Sequence, residues 1–584
     1  MKPTPNARGM ALAGLLALGL SACALLPSTP GNPVPAEHAA GVQGLDARPV
    51  PARPRDSGLD PHWHQGAFIE IFVRAYQDSD GDGIGDLRGL ISRLDYLQEL
   101  GVRGIWLMPV TLSEDRDHGY ATTDYRAVEP KYGTLQDMRE LLRQAHRRGI
   151  GVIMDYVINH ASHEFPPFRQ SVDDPSSPYR AWFMWSEHAP QGWDIWGKNP
   201  WYHAASKPWT FQGEWKDLPP APPGAKHHYL GTFGAHMPDF DLRHGPALEY
   251  HLDSLRFWMN LGLDGVRLDA VPHMIERDAQ NWNDQPESRE LTKRLQDLVK
   301  SYPKRYTVCE ATASPEVYGR DDVCGAAFAF GLTPHLVKAP KGDAAAVRAL
   351  AEYWKTAPPG MASFLSNHDI FAGPRAWDQF KGDEAQYKLA ASTYLLMPGT
   401  PFIYYGEEIG QAGLPGLPGD LPIRGPMSWD TRPHAGFTTG TPFRAAAPNA
   451  ARYNALAQRN GPRSLHRHYR EMLALRNTRA SIARGSWDHA FADGLTLGFQ
   501  RTLGGERTLV LIHYGDQPRS VAIPGLDDTA ARARLLWRSE PGMAGQQVGQ
   551  QVGQQAVKAG APAARLDPTG QRLDAQSVQV WALD

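Results

Sequence analysis

Eight apolar runs of strand length recur between residue 66 and about residue 410, and stretches of helical periodicity separate them. They read AFIEIFV (67–73), GIWLMPV (104–110), GVIMDYV (151–157), GVRLDAV (265–271), YTVCEAT (306–312), CGAAFAF (324–330), ASFLSNHD (362–369) and TPFIYYG (400–406). After the first run, Leu87, Leu90, Ile91, Leu94 and Leu97 keep the spacing of one helix face. Another helix is expected from TLQDMRELLRQAH, where Thr134 and Asp137 form a capping-box start. Eight strands alternating with helices are what a (β/α)8 barrel, the TIM-barrel α/β fold, requires. The sixth run is the least pronounced.

Two stretches break the rhythm. Residues 161–240 carry little periodicity, many prolines and seven tryptophans between Trp182 and Trp215, and their length predicts a domain inserted after the third strand. Filling that domain's core and stacking on sugars are both open roles for the tryptophans. After residue 485 the runs LTLGFQR, RTLVLIHY, SVAIP, RLLW and SVQVWAL alternate in the manner of strands, predicting a C-terminal antiparallel β-sandwich over 486–584. The tract GQQVGQQVGQQ (545–555) reads as a low-complexity surface loop. The barrel itself takes 61–160 and 241–485.

Barrel enzymes carry their chemistry at the C-terminal ends of the strands. The third run ends DYVINH (155–160), the fourth contains RLDAVPH (267–273), the fifth ends CEAT (309–312) and the seventh SNHD (366–369). Asp269, Glu310 and Asp369 therefore face one mouth, flanked by Arg267, His160 and His368. In this order the segments resemble the conserved regions of the α-amylase family of glycoside hydrolases (family 13). MPDFDLR (237–243), GTPFIYYGEEIG (399–410) and RGPMSWD (424–430) extend the resemblance over about residues 64–485. It implies that Asp269 is the nucleophile, Glu310 the general acid/base, and Asp369 the third acid that binds and distorts the sugar. His160 and His368 resemble the histidines that hold sugar hydroxyls, and Tyr120 the tyrosine that stacks on that sugar. His273 matches a residue with sugar or calcium contacts. The chemistry suits the roles: retaining cleavage needs one ionised carboxylate and one protonated carboxyl, and Arg267, two residues before Asp269, favours the charge on the nucleophile.

The expected activity is retaining hydrolysis of α-1,4-glucosidic bonds in starch-like glucans or maltooligosaccharides. The alternatives are an exo-α-glucosidase, a glucosyl-transferring relative of the trehalose-synthase kind, and an amylase-like binding protein without catalysis. Ala121 stands where many α-glucosidases of the family carry an aspartate that grips the terminal sugar, which favours an open-cleft amylase. Pro272 replaces a lysine common in α-amylases, and Cys309 replaces the glycine before the acid/base. Cys309 and Cys324 could pair in an oxidising compartment, though sequence alone does not bring their Cα atoms within bridging distance.

DSDGDGIGD (78–86) looks like a calcium loop, but an EF-hand needs a bidentate Glu at its twelfth position, which here is Gly89. The family resemblance implies a structural Ca²⁺ at this place, held by the side chains of Asp78, Asp80, Asp82 and Asp86 and the carbonyl of Ile84. Asn159 matches a second family calcium ligand, whose partner aspartate the sequence does not place. At the N-terminus, Lys2 and Arg8 precede the apolar run GMALAGLLALGL, too short to span a bilayer as a helix. The LSAC that follows resembles a lipobox. Residues 1–23 are expected to be a lipoprotein signal with lipidation at Cys23, and 24–60 a flexible tether. That places the enzyme in a bacterial cell envelope, at the outer membrane, as a monomer whose only membrane contact is its lipid. A net charge of -3 gives no electrostatic case for nucleic acid.

Overall fold

The computed structural model describes residues 45–114, 118–204, 226–526, 532–539 and 565–583. The leader with Cys23 and the GQQ tract lie outside them. Eight parallel strands close into a barrel in sequence order: β1 (Phe68–Ile71), β2 (Gly104–Leu107), β3 (Gly151–Tyr156), β4 (Gly265–Leu268), β5 (Tyr306–Cys309), β6 (Ala327–Phe328), β7 (Met361–Ser363) and β8 (Thr400–Tyr404). Each of the eight apolar runs supplies one, and β6 is the shortest. The periodic helix after β1 is two helices, Leu87–Ser92 and Leu94–Leu100, because Arg93 leaves helical geometry between them. The capping box at Thr134 and Asp137 forms as expected.

Alternate residues of a strand face opposite sides, and in this barrel that rule builds the site. Phe68, Trp106, Ile153, Val308, Phe328, Ala362 and Phe402 point inward and pack as one apolar plug with Trp63 and Tyr306. Phe68 stacks on Phe402 at 4.7 Å, and Trp106 meets Phe328 at 5.2 Å. Gly104 and Gly151 make room at the narrow end, since a Cβ there would lie 2.4 Å from the Phe68 ring and 2.3 Å from that of Trp63. One step further along the same faces stand Glu70, Asp155 and Arg267. A dry aromatic floor therefore lies beneath a charged layer.

The inserted domain holds the helix Pro166–Asp173 and a three-stranded sheet of Trp185–Ser186, His228–Leu230 and Trp201–His203. Bridges between His160 and Asp239 and between Phe183 and Phe240 sew its two ends together. Trp182 is buried, and Trp185 lies stacked on Phe168 beneath Arg180, so both serve packing. At the C-terminus, strands 488–493, 496–503, 506–513, 577–582 and 534–538 form a five-stranded antiparallel sheet. Leu509, Leu511 and Trp581 of that sheet share a core with Val521 and Leu573 of the two-stranded ribbon 519–521/571–573.

The tether expectation fails for its second half. From Leu45 to Leu59 the chain runs without helix or strand, but it is strapped to the barrel. Its prolines forbid a helix, yet its carbonyls remain acceptors. Arg126 donates to Arg48 O (2.9 Å), Asn260 to Pro51 O (3.0 Å), Arg305 to Arg55 O (3.2 Å) and Lys304 to Leu59 O (2.8 Å).

Candidate active site

Arg267 sits at the centre of the charged layer and is almost wholly buried. Its Nη1 donates to Asp155 Oδ1 at 2.8 Å and to Asp269, and its Nη2 lies 3.1 Å from Glu310 Oε2. Asp155 comes from β3, Arg267 and Asp269 from β4 and its end, and Glu310 directly follows β5. Their convergence is set by register, with Asp155 paired to Arg267 and Val308 to Arg267 across the neighbouring strands. Ala270, immediately after Asp269, adopts a left-handed conformation with φ of 48°. That turn costs a non-glycine residue about 1–3 kcal/mol, and it aims the Ala270 N–H at Glu310 Oε2, 3.0 Å away.

The acids titrate as a set. Burial raises Asp269 above the ordinary carboxyl range, Arg267 opposes the rise and Asp155 adds to it. Burial also raises Glu310, again against Arg267 and with the neighbouring Asp269 charge. A hydrogen bond between the two carboxyls favours the charged form of Asp269 and the protonated form of Glu310. Asp369 follows β7 and is raised by burial, with Arg424 pulling it down and Asp420 pushing it up. Arg424 holds it from the far side at 3.2 Å and clasps Asp420 at 3.0 Å.

The catalytic-domain profile described as "Alpha amylase, catalytic domain" matches residues 70–485. The chain belongs to the α-amylase family. It is 34% identical over 478 residues to the trehalose synthase/amylase TreS of Mycobacterium tuberculosis, covering 73% of this chain and 77% of that one. It is 27% identical to the oligo-1,6-glucosidase of Parageobacillus thermoglucosidasius, over 79% of this chain and 92% of that one. Among solved structures, a trehalulose synthase in complex with Tris shares the fold with a TM-score of 0.73 and 24% identity, over 90% of this chain and 100% of that one. The protein is therefore an α-amylase-family enzyme with a (β/α)8 catalytic barrel.

The other residues expected from the family resemblance fall into three places. Tyr120 and His368 join the charged layer: the Tyr120 hydroxyl lies 2.8 Å from Asp155 Oδ2 and 2.7 Å from His368 Nε2, with the two rings stacked at 5.5 Å. His160 and His273 meet the inserted domain instead, both against the Phe233 ring at 5.2 and 5.5 Å. His273 also stacks on Trp282 at 5.4 Å and meets the edge of Trp196 at 5.7 Å. Burial pushes its imidazole down to about 4, so it is neutral. Trp196 is thus an inserted tryptophan that reaches the barrel loop carrying His273. Trp209 and Trp215 lie outside the described residues.

The acidic loop after β1 gathers three of its four aspartates. Carboxylate oxygens of Asp78, Asp80 and Asp86 lie within 4.8 Å of one another, an all-oxygen set that suits a hard cation. Asp82 lies outside that group of three. Its Oδ2 is 3.0 Å from Lys131 Nζ and its Oδ1 accepts from the Ile84 N–H. At the inserted-domain junction, Asn159 donates to Asp239 Oδ1 at 3.1 Å. Asp239 and Glu276 are both buried, burial raises both carboxyls, and Asp239 raises Glu276 further. Glu276 Oε1 is buried with no hydrogen-bond partner, an oxygen that a cation would satisfy. Asp239 is the acid that Asn159 meets here and its charge acts on Glu276; the sequence singled out neither.

Sequence reading also missed Glu70, Asp155, Asp420 and Arg424. A glutamate in the middle of an otherwise apolar strand run was the available signal for Glu70. Cys309 and Cys324 form a disulfide with Cα atoms 6.4 Å apart, which ties the strand carrying Glu310 to the segment entering β6.

Proposed function

We propose that the protein is a retaining enzyme that takes short α-glucosides and moves one glucosyl unit at a time, to water or to a second sugar. The observation that carries this reading is its 34% identity, over 73% of its length, to a trehalose synthase/amylase. Relatives named oligo-1,6-glucosidase and trehalose synthase support it. Trp196, Phe233, His273 and Trp282 form an aromatic cluster where the inserted domain meets the loop that follows β4, a surface on which a second sugar ring could stack.

In the proposed cycle, the Asp269 carboxylate attacks the anomeric carbon while Glu310 gives its proton to the departing glycosidic oxygen. The covalent glucosyl-enzyme is then opened by a hydroxyl whose proton Glu310 takes back. Arg267 touches both carboxyls, so it can hold Asp269 charged before attack and Glu310 charged between the two steps. A sugar entering must part the two carboxyls to about 5 Å. Asp369, His368 and Tyr120 would bind the glucosyl hydroxyls and ring.

Incubation with maltose, trehalose, sucrose, maltotriose and soluble starch tests the reading. Glucose together with a rearranged disaccharide from maltose or trehalose is the expected result, and Asp269→Asn should abolish both. A mixed ladder of maltooligosaccharides from starch, with no turnover of disaccharides, would overturn it. That outcome would favour the second reading, an endo-acting α-amylase, for which Ala121 speaks.

The reading includes two further proposals. Ca²⁺ held by Asp78, Asp80, Asp82, Asp86 and the Ile84 carbonyl would neutralise the loop's acids, and the Asn159–Asp239–Glu276 junction is suited to a second ion. Cys23 would carry lipid and hold the enzyme at the cell envelope; Cys23→Ser should then move the protein from the detergent phase to the aqueous phase of a Triton X-114 partition.

A further inference from the structure

Below the sugar-binding groups, the charged layer continues into a contact that the cycle above does not use. Glu70 points inward from β1, one register step above the aromatic floor, and is 1% exposed. Its Oε1 lies 2.6 Å from Nδ1 of His368, which is equally buried. On the other side of the ring, Nε2 lies 2.7 Å from the Tyr120 hydroxyl and 3.2 Å from Asp369 Oδ2.

Proton accounting decides how this chain is connected. Tyr120 has one phenolic proton, and Asp155 Oδ2 takes it at 2.8 Å, because Asp155 is held as an acceptor by Arg267 through its other oxygen. The Tyr120 oxygen can then only accept from His368, so Nε2 carries a hydrogen. Burial keeps the imidazole from taking a second proton, and the charges of Arg267 and Arg424 add to that effect. A neutral ring protonated at Nε2 has a bare lone pair at Nδ1. Two lone pairs 2.6 Å apart would repel, so the proton between them must belong to Glu70.

We propose that Glu70 is a positioning residue: its carboxyl donates to Nδ1 of His368 and so fixes the tautomer that presents an Nε2 hydrogen to Asp369 and to the bound glucosyl unit. The inference rests on the sugar-binding role of His368 given above and deepens it. The surroundings agree. Burial raises Glu70 well above the ordinary carboxyl range, with Asp369 adding to the rise, Arg267 opposing it and Asp155 adding again. From β8, Tyr404 pairs in register with Glu70, and the Tyr405 N–H donates to the Glu70 carbonyl at 3.0 Å. Trp106, its partner on β2, brings no charge and packs edge-on against the His368 ring at 5.6 Å. Once Glu70 loses its proton it must accept from Nδ1, the ring changes tautomer, and Nε2 becomes an acceptor facing the Asp369 carboxylate. The consequence is an alkaline loss of sugar binding set from beneath the site.

The test compares wild type, Glu70→Gln and Glu70→Ala in kcat/KM against pH on the turned-over disaccharide. A glutamine amide donates to Nδ1 as the protonated carboxyl does, but does not titrate. Glu70→Gln should stay within about threefold of wild type near pH 6 and lose activity at higher pH with a shallower limb than wild type, because Glu310 alone then titrates there. Glu70→Ala should lose about 100-fold at every pH, the scale of a misplaced contact group, at a thermal midpoint matching that of Glu70→Gln. Equal damage in both variants, or a Glu70→Ala enzyme within threefold of wild type, would overturn the proposal. If wild type turns over no glucoside, the functional reading fails, and the ring ¹⁵N resonances of His368 still decide the positioning claim. Assigned by their loss in His368→Gln, they should report hydrogen on Nε2 in wild type and Glu70→Gln; hydrogen on Nδ1 in wild type at pH 6 would sink it.

Discussion

In the loop after β1, the Asp78 carboxylate accepts from the N–H groups of Asp80, Gly81 and Gly83 and from the Thr438 hydroxyl. Burial works to raise it, but the Thr438 and backbone donors together hold it below the ordinary range. At the barrel mouth, Asp269 and Asp369 meet one arginine each and several other acids, and burial lifts both. The residue type is the same and the direction of the shift is opposite. What differs is who solvates the charge. A loop rich in glycine turns several amides onto one carboxylate, while the amides at the strand ends go elsewhere, the Ala270 N–H to Glu310 and the Ile370 N–H to Asp420, and leave Asp269 and Asp369 chiefly to arginine. An aspartate of the first kind is a fixed charge, and one of the second kind is held between its two protonation states.

The comparison breaks first if the mouth acids prove dispensable. Asp269→Asn should lower kcat by at least about 10⁴-fold while the thermal midpoint stays within a degree or two; a variant with a tenth of wild-type activity would remove the nucleophile assignment. The next largest effect is on stability. Serine at both Cys309 and Cys324 opens a 15-residue loop and should cost about 3 kcal/mol, read as a lower denaturant midpoint of the oxidised protein.

A third set of acids, buried but remote from the glucosyl site, sharpens the contrast. Burial pushes Glu407 up to about 7 even though the Tyr394 and Tyr469 hydroxyls donate to it at 2.7 Å. In the unfolded chain the same carboxyl titrates near 4.5. The folded form therefore holds a proton that the unfolded form has released between those values. Its stabilising contribution is complete below about pH 4.5 and is lost as pH rises through 7, a swing on the order of 3 kcal/mol. Glu407→Gln should flatten the stability profile between pH 5 and 8 without moving the pH dependence of turnover. The smallest effect is expected in the loop. Asp78→Ala should destabilise the fold by about 2 kcal/mol and make the melting temperature insensitive to chelator, with turnover at room temperature retained. A chelator response undiminished in Asp78→Ala would place the relevant ion elsewhere.

Much of this was legible in the residues because it is local. Strand-length runs and helix spacing repeat over a few positions, so the eight barrel strands could be read one by one, and so could the acids that end them. The residues that escaped act across the chain. Glu70 meets His368 over 298 positions, and no window around FIEIFV contains the histidine. Residues 45–59 look like a tether by composition, since proline and glycine mark loops whether or not a surface waits for them. Asp82 fits the spacing of a calcium ligand, but Lys131, brought near by the next loop, competes for its charge.

By itself, then, the sequence determined the barrel, the inserted and terminal domains, the order of the strand-end acids and the all-oxygen character of the loop, because period and spacing are properties of neighbouring residues. Only the tertiary structure decided that Cys309 and Cys324 pair, that the strap docks, that Arg267 touches Asp269 and Glu310 alike and that a glutamate lies beneath His368. Closing the barrel is what removes water from that layer. Removing water makes each proton's position depend on partners that lie far away along the chain.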